Sequence, residues 1–136
     1  MDLFQQSISG LPAFITYFLA SVGLFVVFLF IYLRVTPYQE IKLIREGNVA
    51  AAYSLSGAML GFTIPLAQSI GQSHNIPDMV IWGVIALLVQ ILVYVVVRML
   101  MPALATAIPA GNAAHGGFLG ALSLATGILN AACMTY

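Results

Sequence analysis

The 136-residue chain is 62% hydrophobic and only 6% charged, its four Lys/Arg balanced by four Asp/Glu. Soluble domains carry roughly 25% charged residues, so this composition argues against a water-soluble enzyme and against a disordered chain. Zero formal net charge argues against a nucleic-acid binder, which needs a basic face for phosphates. What remains is an integral membrane protein, with a mean hydropathy of +1.05 and a length that fits one domain, 1–136.

The charges are Asp2, Arg34, Glu40, Lys42, Arg45, Glu46, Asp78 and Arg98, which leaves uncharged stretches at 3–33, 47–77, 79–97 and 99–136. A helix needs about 20 apolar residues to cross the hydrocarbon core. Each stretch holds one such span, and we place them at 14–33, 49–70, 79–100 and 113–134. The runs lack the alternation of barrel strands, so helices must do the crossing. The expected fold class is all-α, a polytopic membrane protein with four transmembrane helices.

The first span follows Asp2 rather than a basic leader, runs too long for a signal sequence and precedes no small-x-small cleavage site. It is expected to stay in the mature protein. Phe25, Phe28 and Phe30 in this span, like Leu87, Leu88 and Val89 in the third, are expected to face lipid. After the first span, Thr36 precedes Pro37, and Gln39 follows three residues after Thr36. That pattern suits a capped helix start. Ile41, Leu43 and Ile44 alternate with Glu40, Lys42, Arg45 and Glu46, and Gly47 makes a stop. The spacing predicts a short interfacial helix over 37–46. Asn48 and Asn112 suit the N-caps of the second and fourth spans.

Gly57 and Gly61 form a GxxxG in the second span, and Gly116 and Gly120 form another in the fourth. Missing side chains let backbones approach, so these four are candidate helix-packing or oligomer-interface residues. Pro65 interrupts the second span beside Thr63, Gln68 and Ser69 and is expected to kink it. Thr63, Gln68 and Asn130 are candidates for a polar lining, with simple burial near headgroups as the plainer reading. Gln90 and Asn130 suit interhelical hydrogen bonds. Arg98 suits an interfacial anchor whose long stem snorkels.

In the register that lays Gly47-Asn48 on Gly111-Asn112, Arg34 falls on Arg98, Leu55 on Leu119 and Ile64 on Ile128. The expected organisation is two tandem two-helix repeats, 14–70 and 79–134. Both would enter the membrane the same way up, unlike the inverted repeats of many transporters. All four Lys/Arg lie in or beside the first and third connections. Positive charge stays inside, which puts both termini on the outer side of the membrane. Arg34, Lys42, Arg45 and Arg98 then become candidate contacts for a cytoplasmic partner or lipid headgroups.

No nucleophile–base pair, phosphate loop or zinc spacing is present, and no acidic residue lies inside a span. The reading is therefore not an enzyme: no catalytic residue, no cofactor and no metal. His74 and His115 stand alone, and the single Cys133 permits no internal disulfide.

Several runs carry a family resemblance: Phe28-Leu-Phe-Ile-Tyr32, Thr36-Pro37, Leu43-Ile44, Ala50-Ala51, Ser56-Gly57, Leu60-Gly61, Ile64-Pro65-Leu66, Ile76-Pro77-Asp78, Trp82-Gly83, Met101-Pro102-Ala103-Leu104 and Asn130 to Thr135. Together they resemble the YjfL-type bacterial inner-membrane proteins, the domain of unknown function 350 family. The resemblance spans nearly the whole chain. It implies a bacterial inner (plasma) membrane location and neighbours in envelope maintenance, and it brings no site residues with it.

Two functions fit. One is a non-enzymatic module that acts in envelope homeostasis or the membrane-stress response by binding cytoplasmic envelope-stress proteins. The other is a homo-oligomeric pore or small-solute channel, which would need several subunits to enclose a pathway.

Overall fold

Seven helices form in a computed structural model that describes residues 2–134, so Thr135, the end of the motif at 130–135, lies outside the described residues. They are α1 (Leu3–Ser9), α2 (Leu11–Val35), α3 (Glu40–Arg45), α4 (Val49–Gln72), α5 (Ile76–Leu100), α6 (Leu104–Ala107) and α7 (Ala113–Cys133). The described residues include no strand. Four helical stretches are long and apolar enough to cross a membrane: Leu3–Val35, Val49–Gln72, Ile76–Leu100 and Ala113–Cys133.

Several boundaries differ from expectation, the first span starting before residue 14 and the second running on to Gln72, and two of the shifts have clear local reasons. The third long helix starts at Ile76 because the Asn75 side chain accepts a hydrogen bond from the Asp78 amide at 2.9 Å. Pro77 in the first turn needs no donor there, and the Asp78 charge suits a helix N-terminus. The short helix starts at Glu40 rather than at 37. Thr36, before Pro37, is extended (φ −72°, ψ 138°), as a residue preceding proline prefers. Its hydroxyl donates back to the Leu33 carbonyl at 3.3 Å rather than capping forward.

The centre of the molecule is the α4–α7 pair. The helices run parallel, with Ala50 beside Gly116, Gly57 beside Gly120 and Gly61 beside Gly127. A Cβ added at Gly57 would lie 2.2 Å from the Gly120 carbonyl oxygen, and one at Gly116 would lie 2.2 Å from that of Ala50. Backbone rests on backbone, so α-hydrogens face carbonyl oxygens along the seam. One of these carbonyls belongs to Gly61, which Pro65 deprives of its ordinary helical donor.

α5 packs on both members of the pair with the stripe Gly83, Ala86, Leu87, Gln90, Tyr94 and Val97. Gln90 is fully buried and donates from Nε2 to the Ser123 carbonyl of α7 at 3.0 Å. α2 lies outermost and buries only Phe28 and Tyr32. The Phe28 ring stacks on Phe62 of α4 at 4.4 Å, and Tyr32 meets Tyr94 of α5 edge-on at 5.8 Å. Phe28 and Leu87, expected to face lipid, are therefore core residues. Each sits one helical turn from other buried positions and shares their face. Phe30 and Leu88 are exposed as expected.

Both short connections close alike. Gly47 (φ 84°) and Gly111 (φ 86°) adopt the left-handed backbone that glycine tolerates. The Asn48 amide reaches the Leu43 carbonyl at 2.9 Å, and the Asn112 amide reaches that of Ala107 at 3.0 Å. Each asparagine then caps the following helix, Asn48 accepting from the Ala51 amide and Asn112 from those of Ala114 and His115. Asn48 also ties the two connections together by donating to the Ile108 carbonyl at 2.9 Å.

Candidate functional site

Polar chemistry collects at the end of the bundle that carries α3 and α6. The extended Thr36-Pro37 step turns the chain back on itself, so Tyr38 and Glu40 fold under the end of the bundle instead of pointing away from it. Glu40 is only 1% exposed, and neither of its carboxylate oxygens has a hydrogen-bond partner. Tyr32 comes in from α2, Tyr38 from the connection and Tyr94 from α5. Their three hydroxyls are likewise buried with no hydrogen bond of good geometry, although the Arg98 side chain comes within reach of that of Tyr94.

These groups feel one another. The Glu40 charge acts on all three tyrosines, and the Tyr38 hydroxyl lies close to those of Tyr94 and of Ser54 on α4. Burial pushes the Glu40 carboxyl from its ordinary 4.5 up to about 7. The nearby Thr36 hydroxyl opposes that shift, although it bonds to Leu33 rather than to the carboxylate. Burial first, then the fields of Glu40 and Tyr94, drive the Tyr38 hydroxyl far above its ordinary range. Around neutral pH, Glu40 is thus the group of this cluster that exchanges a proton.

A groove of about 420 Å³ opens beside the cluster, between the end of α2 and α3, with Tyr38 and Glu40 among its walls and Lys42 and Arg45 on its rim. Both cations are exposed. Arg34 is exposed as well and lies over the Phe30 ring, 4.9 Å from its centroid. Arg98 is exposed in the last turn of α5, and its charge reaches Tyr94.

The other sequence candidates are spread elsewhere. Gly57, Gly61, Gly116 and Gly120 all lie in the α4–α7 seam within one chain. Thr63 bonds to the Leu60 carbonyl and borders shallow side grooves whose other walls are mainly apolar. Gln68 and Asn130 line neither groove, and the Asn130 amide nitrogen is buried without a partner. His115 is half-buried and His74 exposed. Among the described residues, no group of three His, Cys, Asp or Glu could hold a metal ion.

The sequence groups Glu40 with the charged positions of an interfacial helix, whereas the structure buries it. A signal was present. The register that aligns Gly47 with Gly111 lays Glu40 on Leu104, and Leu104 is fully buried. A carboxylate standing where the other connection puts leucine marks a position with an inward side chain.

The geometry can be set beside known proteins. A family model described as Domain of Unknown Function (DUF350) matches residues 6–134. The UPF0719 inner membrane protein YjfL of Escherichia coli (strain K12) is 46% identical over 129 residues, which cover 95% of this chain and 98% of that protein. The UPF0719 transmembrane protein YshE of Bacillus subtilis (strain 168) is 30% identical over 86 residues, 63% of this chain and 64% of that one. No solved structure gives a significant match. Matched nearly end to end by such a model and such a relative, and carrying four spanning helices, the chain belongs to the DUF350 family of multi-pass inner-membrane proteins.

Proposed function

We propose that the protein is a non-enzymatic membrane module that binds an acidic cytoplasmic partner through α3, in the envelope-maintenance setting its family suggests. One observation carries this reading: Lys42 and Arg45 stand exposed on a six-residue helix at the rim of a groove. A fixed pair of cations beside a concave surface is a docking feature for carboxylate-bearing segments. The positive-inside rule turns this end of the bundle toward the cytoplasm and both termini outward. α3 lies in the interface, its apolar residues Leu43 and Ile44 half-buried against the bundle.

The two halves are tandem copies in the same orientation. Supporting this are the matching left-handed glycines, the matching asparagine caps and the parallel run of α4 and α7. The four glycines offered as a possible oligomer interface pack inside a single chain, so they lend an oligomeric pore no support.

The test is co-purification from the inner membrane of the native host. Wild-type protein should bring down a discrete cytoplasmic partner, and the double reversal Lys42→Glu with Arg45→Glu should lose it while still inserting. Because those charges also help set orientation, a tag assay must confirm unchanged topology. Equal recovery of the partner by the double variant would sink the proposal.

A further inference from the structure

We infer that the buried cluster of Glu40, Tyr32, Tyr38 and Tyr94 is a binding site for one monovalent alkali-metal cation, Na⁺ or K⁺. Five oxygens supply the observation: both carboxylate oxygens of Glu40 and the three tyrosine hydroxyls, all buried and all without a hydrogen-bond partner. They come from α2, from the connection leading into α3, from the first residue of α3 and from α5. Buried polar groups in folded proteins are almost always paired, and an unpaired buried carboxylate is the costliest exception. The field of Glu40 acts on all three tyrosines, and the Tyr38 hydroxyl lies close to that of Tyr94, so the five oxygens belong to one cluster, which we read as one site with a missing partner.

The chemistry of that partner follows from the donors. They are all hard oxygen and carry a single negative charge, which a single positive charge balances. A divalent ion would want more carboxylates, and zinc would want nitrogen or sulfur. The chain's own cations do not serve. Lys42 and Arg45 project from α3 to the groove rim, and Arg98, itself exposed, reaches the Tyr94 hydroxyl, but none of the three acts on Glu40. From α4 the Ser54 hydroxyl reaches Tyr38. Glu40 and Tyr38 also border the open groove, which gives an ion a way in.

The protein contains its own control. In the register that matches the two connections, the place of Glu40 is taken by Leu104, which is fully buried, and the fold closes in the same way around both. A leucine satisfies that position structurally, so folding alone does not require the carboxylate. This inference stands apart from partner binding, and its test involves no partner.

Purified full-length protein in lipid nanodiscs would be melted at pH 8 while following the fluorescence of its one tryptophan, Trp82. NaCl, KCl and choline chloride would be compared at equal ionic strength. A saturable rise of about 3–6 °C is expected with sodium or potassium, and none with choline. The rise should shrink at pH 6, where a proton competes for Glu40. Glu40→Leu, which copies the residue found at 104, should lose the salt-specific rise altogether. Tyr38→Phe keeps the carboxylate and the ring, and should need roughly tenfold more cation for the same rise. Identical melting of the wild type in all three salts would overturn the inference. So would a cation-specific rise that Glu40→Leu and Tyr38→Phe both retain undiminished; if Glu40→Leu does not fold, Tyr38→Phe decides alone.

Discussion

Glu40 holds a position that hydrophobicity would give to leucine, and the consequence is measurable as pH dependence. Its carboxyl is raised to about 7 in the fold, against an ordinary 4.5. The folded state therefore binds this proton more tightly than the unfolded chain does. The associated stability is fully present below about pH 4.5 and is lost as pH rises through about 7, with an upper size of about 3 kcal/mol. In choline chloride, the wild type should lose melting temperature from pH 5 to pH 8, and Glu40→Gln should flatten that slope. A wild-type melting point that rose over the same interval would contradict the burial of the carboxyl. The sequence places Glu40 among Lys42, Arg45 and Glu46, and charges so grouped read as solvated. What turns it inward is the extended backbone at Thr36-Pro37, three residues earlier.

The elements are held together by contact rather than by hydrophobic force, because lipid tails offer apolar side chains as good a home as the protein interior does. That gives the α4–α7 seam unusual weight. Gly57→Ala or Gly120→Ala would drive a methyl into backbone, since added Cβ atoms would lie 2.2 Å and 2.3 Å from carbonyl oxygens. Each change should cost about 1–3 kcal/mol and shift the melting transition down. Gly23→Ala in α2, where nothing lies within 4 Å, should be neutral or slightly stabilising, since alanine is the better helix former. Equal effects at seam and control would mean that the two helices do not touch as described.

The same physics decides what the sequence made legible. Charge spacing located four spans, and the GxxxG pairs and asparagines stand out because few residue types do their work. Phe28 and Leu87 read as lipid-facing yet are buried, because apolar residues carry no mark of which apolar medium they meet. Only their pairing with Phe62 and with the α5 stripe reveals the side.

At the scale of the whole molecule, the question that governs function is which way up it sits. Every Lys and Arg lies toward one end of the bundle, Arg34, Lys42 and Arg45 around the first connection and Arg98 at the close of α5. In the orientation proposed above, the positive-inside rule would turn that end inward, and α3, the groove and the Glu40 cluster would go with it. The opposite end holds residues 73–75 and the last turn of α7, where the chain's sole cysteine, Cys133, is exposed. That thiol is a built-in reporter. In intact spheroplasts a membrane-impermeant maleimide should label Cys133, and Cys133→Ser should abolish the signal. A cysteine placed at Lys42 in the Cys133→Ser background should stay unlabelled until the membrane is permeabilised. The reverse pattern would turn α3 and its cations away from the cytoplasm, and a cytoplasmic partner could then no longer reach them.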